Sequence, residues 1–212
     1  MALLFRALLV GCLLALFVRT YLVQLYRVPS DSMMPGLLPG DHVVVDRFLY
    51  GANPPGLPLL PARPPRRFEV VVLERPGGRR LIKRLLGLPG ERIEVRAHRL
   101  LVDGKPLDLA PERLLLPGAD TPAAAAVPAH FGPLRLGDEQ YLVLGDQRGV
   151  SLDSRSFGPV EARELIGRAI LIYWSIPIDF GAEDSSSFAK IPGPTHSSWV
   201  MARWNRCLRP LR

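Results

Sequence analysis

Four runs constrain the fold of this chain more than anything else in it: Asp41-His42-Val43-Val44-Val45-Asp46, Phe68-Glu69-Val70-Val71-Val72-Leu73, Tyr141-Leu142-Val143-Leu144 and Arg168-Ala169-Ile170-Leu171-Ile172-Tyr173-Trp174. Each is short, rich in β-branched or aromatic side chains and bounded by turn residues, a pattern that fits strands better than helices. Leu100-Leu101-Val102-Asp103-Gly104-Lys105-Pro106-Leu107 sets Asp-Gly between two apolar stubs, a strong local hairpin signal. The expected fold class is mainly β. Two stretches interrupt it. Gly51 to Arg67 carries six prolines, and Pro117 to His130 is rich in Ala and Pro with no usable periodicity, so surface insertions are expected near 51–67 and 108–135. No internal repeat is visible, which argues against a solenoid or propeller.

The N-terminus follows a different rule. From Leu3 to Tyr26 the 24 residues are largely apolar or aromatic. As one helix they span about 36 Å at about 1.5 Å per residue, with Arg6 and Arg19 placed to snorkel. A cleavable signal peptide needs small residues at alternate positions downstream, and none stand between Arg19 and Arg27. A buried core helix is the remaining alternative, and the stretch offers little polar face. The reading is a retained single-pass anchor over residues 1–26. The flanking arginines do not settle its orientation.

At 212 residues the chain holds one sizeable core plus appendages. The net charge of +7 is concentrated between Arg63 and Arg99 and in the tail 181–212. No nucleic-acid motif accompanies it, and an anionic membrane surface accounts for it equally well. Trp199, Arg203 and Trp204 give the tail an interfacial character shared with Leu57, Leu59 and Leu60; a packed terminal strand with a solvated basic end is the plainer reading. Cys12 and Cys207 form neither a disulfide framework nor a metal site, and no metal or cofactor is expected.

Three lysines stand against 24 arginines, and one of them, Lys83, lies inside the basic run Arg79-Arg80-Leu81-Ile82-Lys83-Arg84-Leu85. Arginine keeps its proton at any accessible pH, whereas a desolvated lysine can lose it and act as a base. In a strand, Leu81, Lys83 and Leu85 share one face and Ile82, Arg84 and Leu86 the other, which puts the ammonium among leucines. A lysine blunting a strand edge is the competing reading. Val28-Pro29-Ser30-Asp31-Ser32-Met33-Met34-Pro35 supplies two serines in a Pro-bracketed turn, a mount for a hydroxyl nucleophile.

Four ordered segments then resemble the bacterial type I (leader) signal peptidase family. Arg19-Thr20-Tyr21 through Pro35 resembles the anchor end and nucleophile motif, and Gly40-Asp41-His42-Val43-Val44-Val45 the strand after it. Ile82-Lys83-Arg84-Leu85-Leu86-Gly87-Leu88-Pro89-Gly90-Glu91 resembles the lysine segment, and Gly145-Asp146-Gln147-Arg148-Gly149-Val150-Ser151-Leu152-Asp153-Ser154-Arg155 a later signature. The resemblance implies an anchored, extracytoplasmic β-rich catalytic domain over residues 27–180, on the outer side of the cytoplasmic membrane. It implies Ser32 as nucleophile, Lys83 as general base, Ser30 with the Ser32 amide as oxyanion hole, and Ser151 orienting the lysine. Asp146, Arg148, Asp153, Ser154 and Arg155 would hold the surrounding loop, and Val28, Met33, Leu37, Leu81 and Ile82 would line pockets for small substrate residues. The implied partners are preprotein signal peptides ending in Ala-x-Ala, the phospholipid membrane and the secretion machinery, not nucleic acid. The chain departs from the family pattern at Gly36, where threonine is usual, at Phe68-Glu69, where Gly-Asp is common, and at Gln147, Gly149 and Val150.

Overall fold

Strand β4 (Arg79–Gly87) sits inside the main sheet because its lower half is apolar on both sides, and Lys83 and Arg84 are carried into the interior with it. A computed structural model of the protein describes residues 1–17, 23–50, 63–96, 99–107, 130–176 and 206–211. They comprise helix α1 (Ala2–Phe17), strands β1 (Val23–Arg27), β2 (Asp41–Asp46), β3 (Val70–Arg75), β4, β5 (Arg92–Arg96), β6 (Arg99–Val102), β7 (Lys105–Pro106), β8 (Phe131–Arg135) and β9 (Gln140–Leu144). After these come a one-turn helix α2 (Ser154–Phe157) and strands β10 (Val160–Glu161), β11 (Leu165–Ser175) and β12 (Arg209–Pro210).

The main sheet runs β1-β2-β11-β3-β4-β9-β10, with β12 also on β11, and a second sheet runs β7-β6-β5-β8. The protein is mainly β, as the four runs imply. Strand alternation separates the cores. Val70, Val72 and Ile82 join Val28, Met33 and Leu37 in one cluster, whereas Val71, Leu73, Leu81 and Leu85 join Tyr141 and Val143 in another. Lys83 stands opposite Val71 in register. The chain passes from the first sheet to the second through Gly87, whose Cα faces Leu142, Leu136 and Ile93 so closely that an added Cβ would lie 2.7 Å from Leu142 Cβ. At the hairpin, Asp103 (φ 50°) and Gly104 (φ 78°) are both left-handed, the geometry of a two-residue I′ turn.

The boundary expected for an anchor shifts. The helix is Ala2–Phe17, 16 residues or about 24 Å, and Val23–Arg27 belongs to the sheet, paired with β2 along its whole length, so residues 23–26 are not membrane helix. The alternation hidden in Val23-Gln24-Leu25-Tyr26-Arg27 explains it: Leu25 faces out while Tyr26 packs against the core. No helix of the described residues is long and apolar enough to cross a membrane. Two other boundaries move as well. Residues 131–135, placed with the second insertion, form β8, and the end of the basic tail returns to pair Arg209 and Pro210 with Ile172 and Leu171. Leu57, Leu59, Leu60, Trp199, Arg203, Trp204, residues 51–62 and residues 108–129 lie outside the described residues.

Candidate active site

Ser32 stands in a turn between β1 and β2 that is built from its own backbone, with Met34 N donating to Asp31 O and Leu37 N to Met33 O, each at 2.8 Å. Met33 and Leu37 plug the turn into the core beneath. From β4, Lys83 reaches across so that its Nζ lies 2.7 Å from Ser32 Oγ, and both side chains are buried, at 3% and 7% exposure. Residues 51 positions apart thus meet as a hydroxyl and an amine. Burial pushes the Lys83 ammonium down from 10.5 to about 8, with Arg79 pushing the same way and Asp153 opposing. As an ammonium Lys83 donates to Ser32; once neutral, its lone pair can accept the Ser32 proton. Ser30 Oγ is 3.2 Å from Ser32 Oγ and faces solvent.

Behind the pair lies the loop from Gly145 to Arg155. Gln147 N donates to Ser32 O at 3.1 Å, which fixes the Ser32 peptide from the rear. Gly145 permits that approach: a Cβ there would stand 2.1 Å from Ser151 Oγ and 2.5 Å from Ser32 O. Ser151 is fully buried next to this peptide, and its hydroxyl makes no hydrogen bond to Lys83 or to any other protein atom. The lysine nitrogen is turned to Ser32 instead.

Charged residues hold the loop. Arg84 forks onto Asp146 at 2.7 and 2.6 Å, and Arg155 forks onto Asp153 at 2.9 and 2.8 Å while donating to Arg148 O. Asp153 also caps α2 and accepts from Gly145 N, and Ser154 Oγ accepts from Val143 N. Arg148 donates through Nε to Gly145 O, and burial lowers its guanidinium to about 10. Gly36 fits against the Arg84–Asp146 fork, where a Cβ would sit 2.6 Å from Asp146 Oδ2.

A cleft of about 230 Å³ opens beside Ser32 and Lys83, lined by Val28, Met33, Leu81 and Ile82 among others. Leu37 is wholly buried in the core and does not reach that lining. The sequence reading missed Tyr26, Arg27, Val72 and Arg80, which also line it. Tyr26 falls inside the stretch read as anchor and Arg27 just after it; the alternation of β1 is the signal that could have found them.

The family described as signal peptidase, peptidase S26, matches residues 1–174. The chain belongs to that family. This signal peptidase family member is 32% identical to a probable signal peptidase I-2 of Synechocystis over 81% of this chain and 72% of the relative. It is likewise 32% identical to a signal peptidase I of Leptolyngbya laminosa over 77% of this chain and 74% of the relative. A crystal structure of a signal peptidase I from Enterococcus faecalis aligns at 30% identity with a TM-score of 0.39, over 50% of this chain and 97% of the other. The protein is accordingly a hydrolase, a serine-type endopeptidase.

Proposed function

We propose that the chain is a membrane-bound signal peptidase that cuts exported preproteins after Ala-x-Ala sites with a Ser32/Lys83 dyad. The observation that carries this reading is the buried 2.7 Å contact between Lys83 Nζ and Ser32 Oγ, with the lysine's proton affinity lowered by burial. Neutral Lys83 takes the Ser32 proton as Oγ attacks the scissile carbonyl, and the oxyanion is met by the Ser30 hydroxyl and the Ser32 amide. The C–N bond then breaks, the leaving amine takes the proton from Lys83, and Ser32 is left acylated. Water attacks the ester, giving its proton to Lys83, and the proton returns to Ser32 as the acid leaves. Ser151, whose buried hydroxyl has no protein partner, is available to take an N–H of Lys83 and orient its lone pair. Asp146, Arg148, Asp153, Ser154 and Arg155 keep this loop rigid.

The cleft size suits small side chains. Residues 79–83 of β4, which pair with β3 on one side while β9 takes up only residues 84–87 on the other, suit an extended substrate backbone. Val28, Met33, Leu81 and Ile82 act on substrate directly, and Leu37 acts by backing Met33. Membrane attachment rests on α1, which exposes Leu3, Leu4, Phe5, Leu8, Leu13 and Leu16. This apolar surface asks for lipid, with the catalytic domain extracytoplasmic and close to the secretion machinery. The test is cleavage of an Ala-x-Ala preprotein by detergent-solubilised wild type, Ser32→Ala and Lys83→Ala, with product masses recorded. Cutting at the predicted bond by wild type alone is expected. Equal cutting by Lys83→Ala removes the dyad, and no cutting by wild type removes the substrate class.

A further inference from the structure

The last described residues, 206–211, lie beyond the part of the chain that the family matches, yet they end beside the nucleophile turn. Leu208 N donates to Ile172 O at 2.7 Å and Leu211 N to Ile170 O at 2.8 Å, so the segment is zipped onto β11. The Leu211 side chain packs against the core cluster that contains Met33 and Leu37. At its start, a single nitrogen of Arg206, Nη2, donates to Gly36 O at 3.0 Å and to Asp41 Oδ2 at 2.8 Å.

Gly36 belongs to the loop that bears Ser32, and Asp41, the first residue of β2, closes that loop. Asp41 is fully buried; the oxygen that meets Arg206 also accepts from Leu38 N at 2.8 Å, and its other oxygen accepts from Ser175 Oγ at 2.6 Å. Arg206 supplies the counter-charge this carboxylate needs in the interior. The Arg84–Asp146 fork of the main sheet packs close to Gly36, leaving no room for a Cβ there, while Arg206 from the C-terminal segment hydrogen-bonds the same residue's carbonyl. A shift of the turn by about 1 Å is enough to spoil attack geometry. We infer that Arg206 is a positioning residue for Ser32, clamping the nucleophile turn through Gly36 O and Asp41 from a C-terminal segment that is thereby part of the active-site scaffold.

This rests on the reading of Ser32 as nucleophile, and the test separates the two. Full-length wild type, Arg206→Ala, Arg206→Lys and Leu208→Ala are compared in detergent for preprotein cleavage and for hydrogen exchange at the Leu37 and Leu38 amides. Leu208 is the control, its side chain being 77% exposed. In Arg206→Ala, kcat is expected to fall about 10- to 100-fold with KM within about twofold of wild type. Exchange at Leu37 and Leu38 rises while β3 and β9 stay protected. Arg206→Lys, which keeps the charge opposite Asp41, recovers part of kcat, and Leu208→Ala matches wild type. An unchanged kcat, or exchange that stays unchanged in the turn or rises equally throughout the sheet, overturns the inference. A wild type that cleaves no preprotein overturns the functional reading instead, and selective exchange at the turn then still decides for or against the clamp.

Discussion

An ammonium buried between Leu81 and Leu85 costs stability at every pH at which it keeps its proton. For Lys83 the folded value is about 8 and the ordinary one 10.5. Between those values the unfolded chain binds the proton and the folded chain does not, so stability rises with pH across that window. Below about 8 both states are protonated and the whole penalty, ~3 kcal/mol, is in force; above 10.5 it vanishes. Lys83→Met is therefore expected to be inactive and more stable than wild type at pH 7, by as much as ~3 kcal/mol, with the gain fading as pH rises. Denaturant melts at several pH values check this, and a less stable Lys83→Met at pH 7 would contradict it. In the active enzyme, kcat/KM should climb with an ionisation near 8, since only neutral lysine accepts the serine proton. A pH profile that is flat from 7 to 9 would remove Lys83 as the titrating base.

At the scale of the element, the loop from Gly145 to α2 is fixed to β4 by the Arg84–Asp146 fork, both partners buried. Asp146→Ala strands a guanidinium in the interior and should cost about 3–5 kcal/mol of stability, measurable as a lowered unfolding midpoint. Arg84→Met with Asp146→Leu removes both charges and should recover most of that loss; a double variant as unstable as the single one would show that the fork is not what matters. The sequence shows some elements and hides others for physical reasons. β2, β3, β9, β11 and the Asp103-Gly104 hairpin announce themselves because side-chain alternation and turn chemistry are local. β1 was hidden because Val23, Leu25 and Tyr26 extend the apolar run that opens the chain, so a five-residue alternation reads as more helix. Phe131-Gly132-Pro133 in β8 carries neither alternation nor a usual strand residue at its centre. In the site, Ser32 and Lys83 were legible through their motifs. Arg206 was not, because its bond to Asp41 joins residues 165 positions apart and leaves no local pattern.

At the scale of the whole molecule, α1 and the sheet solve opposite solvation problems. The sheet buries its large apolar side chains in three clusters, whereas along α1 Leu3, Leu4, Phe5, Leu8, Leu9, Val10, Leu13 and Leu16 are all about half exposed or more. In water such a surface drives association; in lipid it is at rest. Because β1 begins at Val23 and pairs fully with β2, a chain started at residue 22 keeps every described strand pairing of the catalytic sheet. It should stay monodisperse without detergent and cut a soluble Ala-x-Ala peptide with the kcat of the full chain. Against a preprotein inserted in vesicles the same truncation should lose about tenfold or more in kcat/KM, because an anchor shared with the substrate's membrane raises the effective concentration of site and scissile bond. Equal kcat/KM for both enzymes on the vesicle substrate would mean that the helix does no targeting. A loss of kcat on the soluble peptide would mean instead that the helix helps to hold the fold.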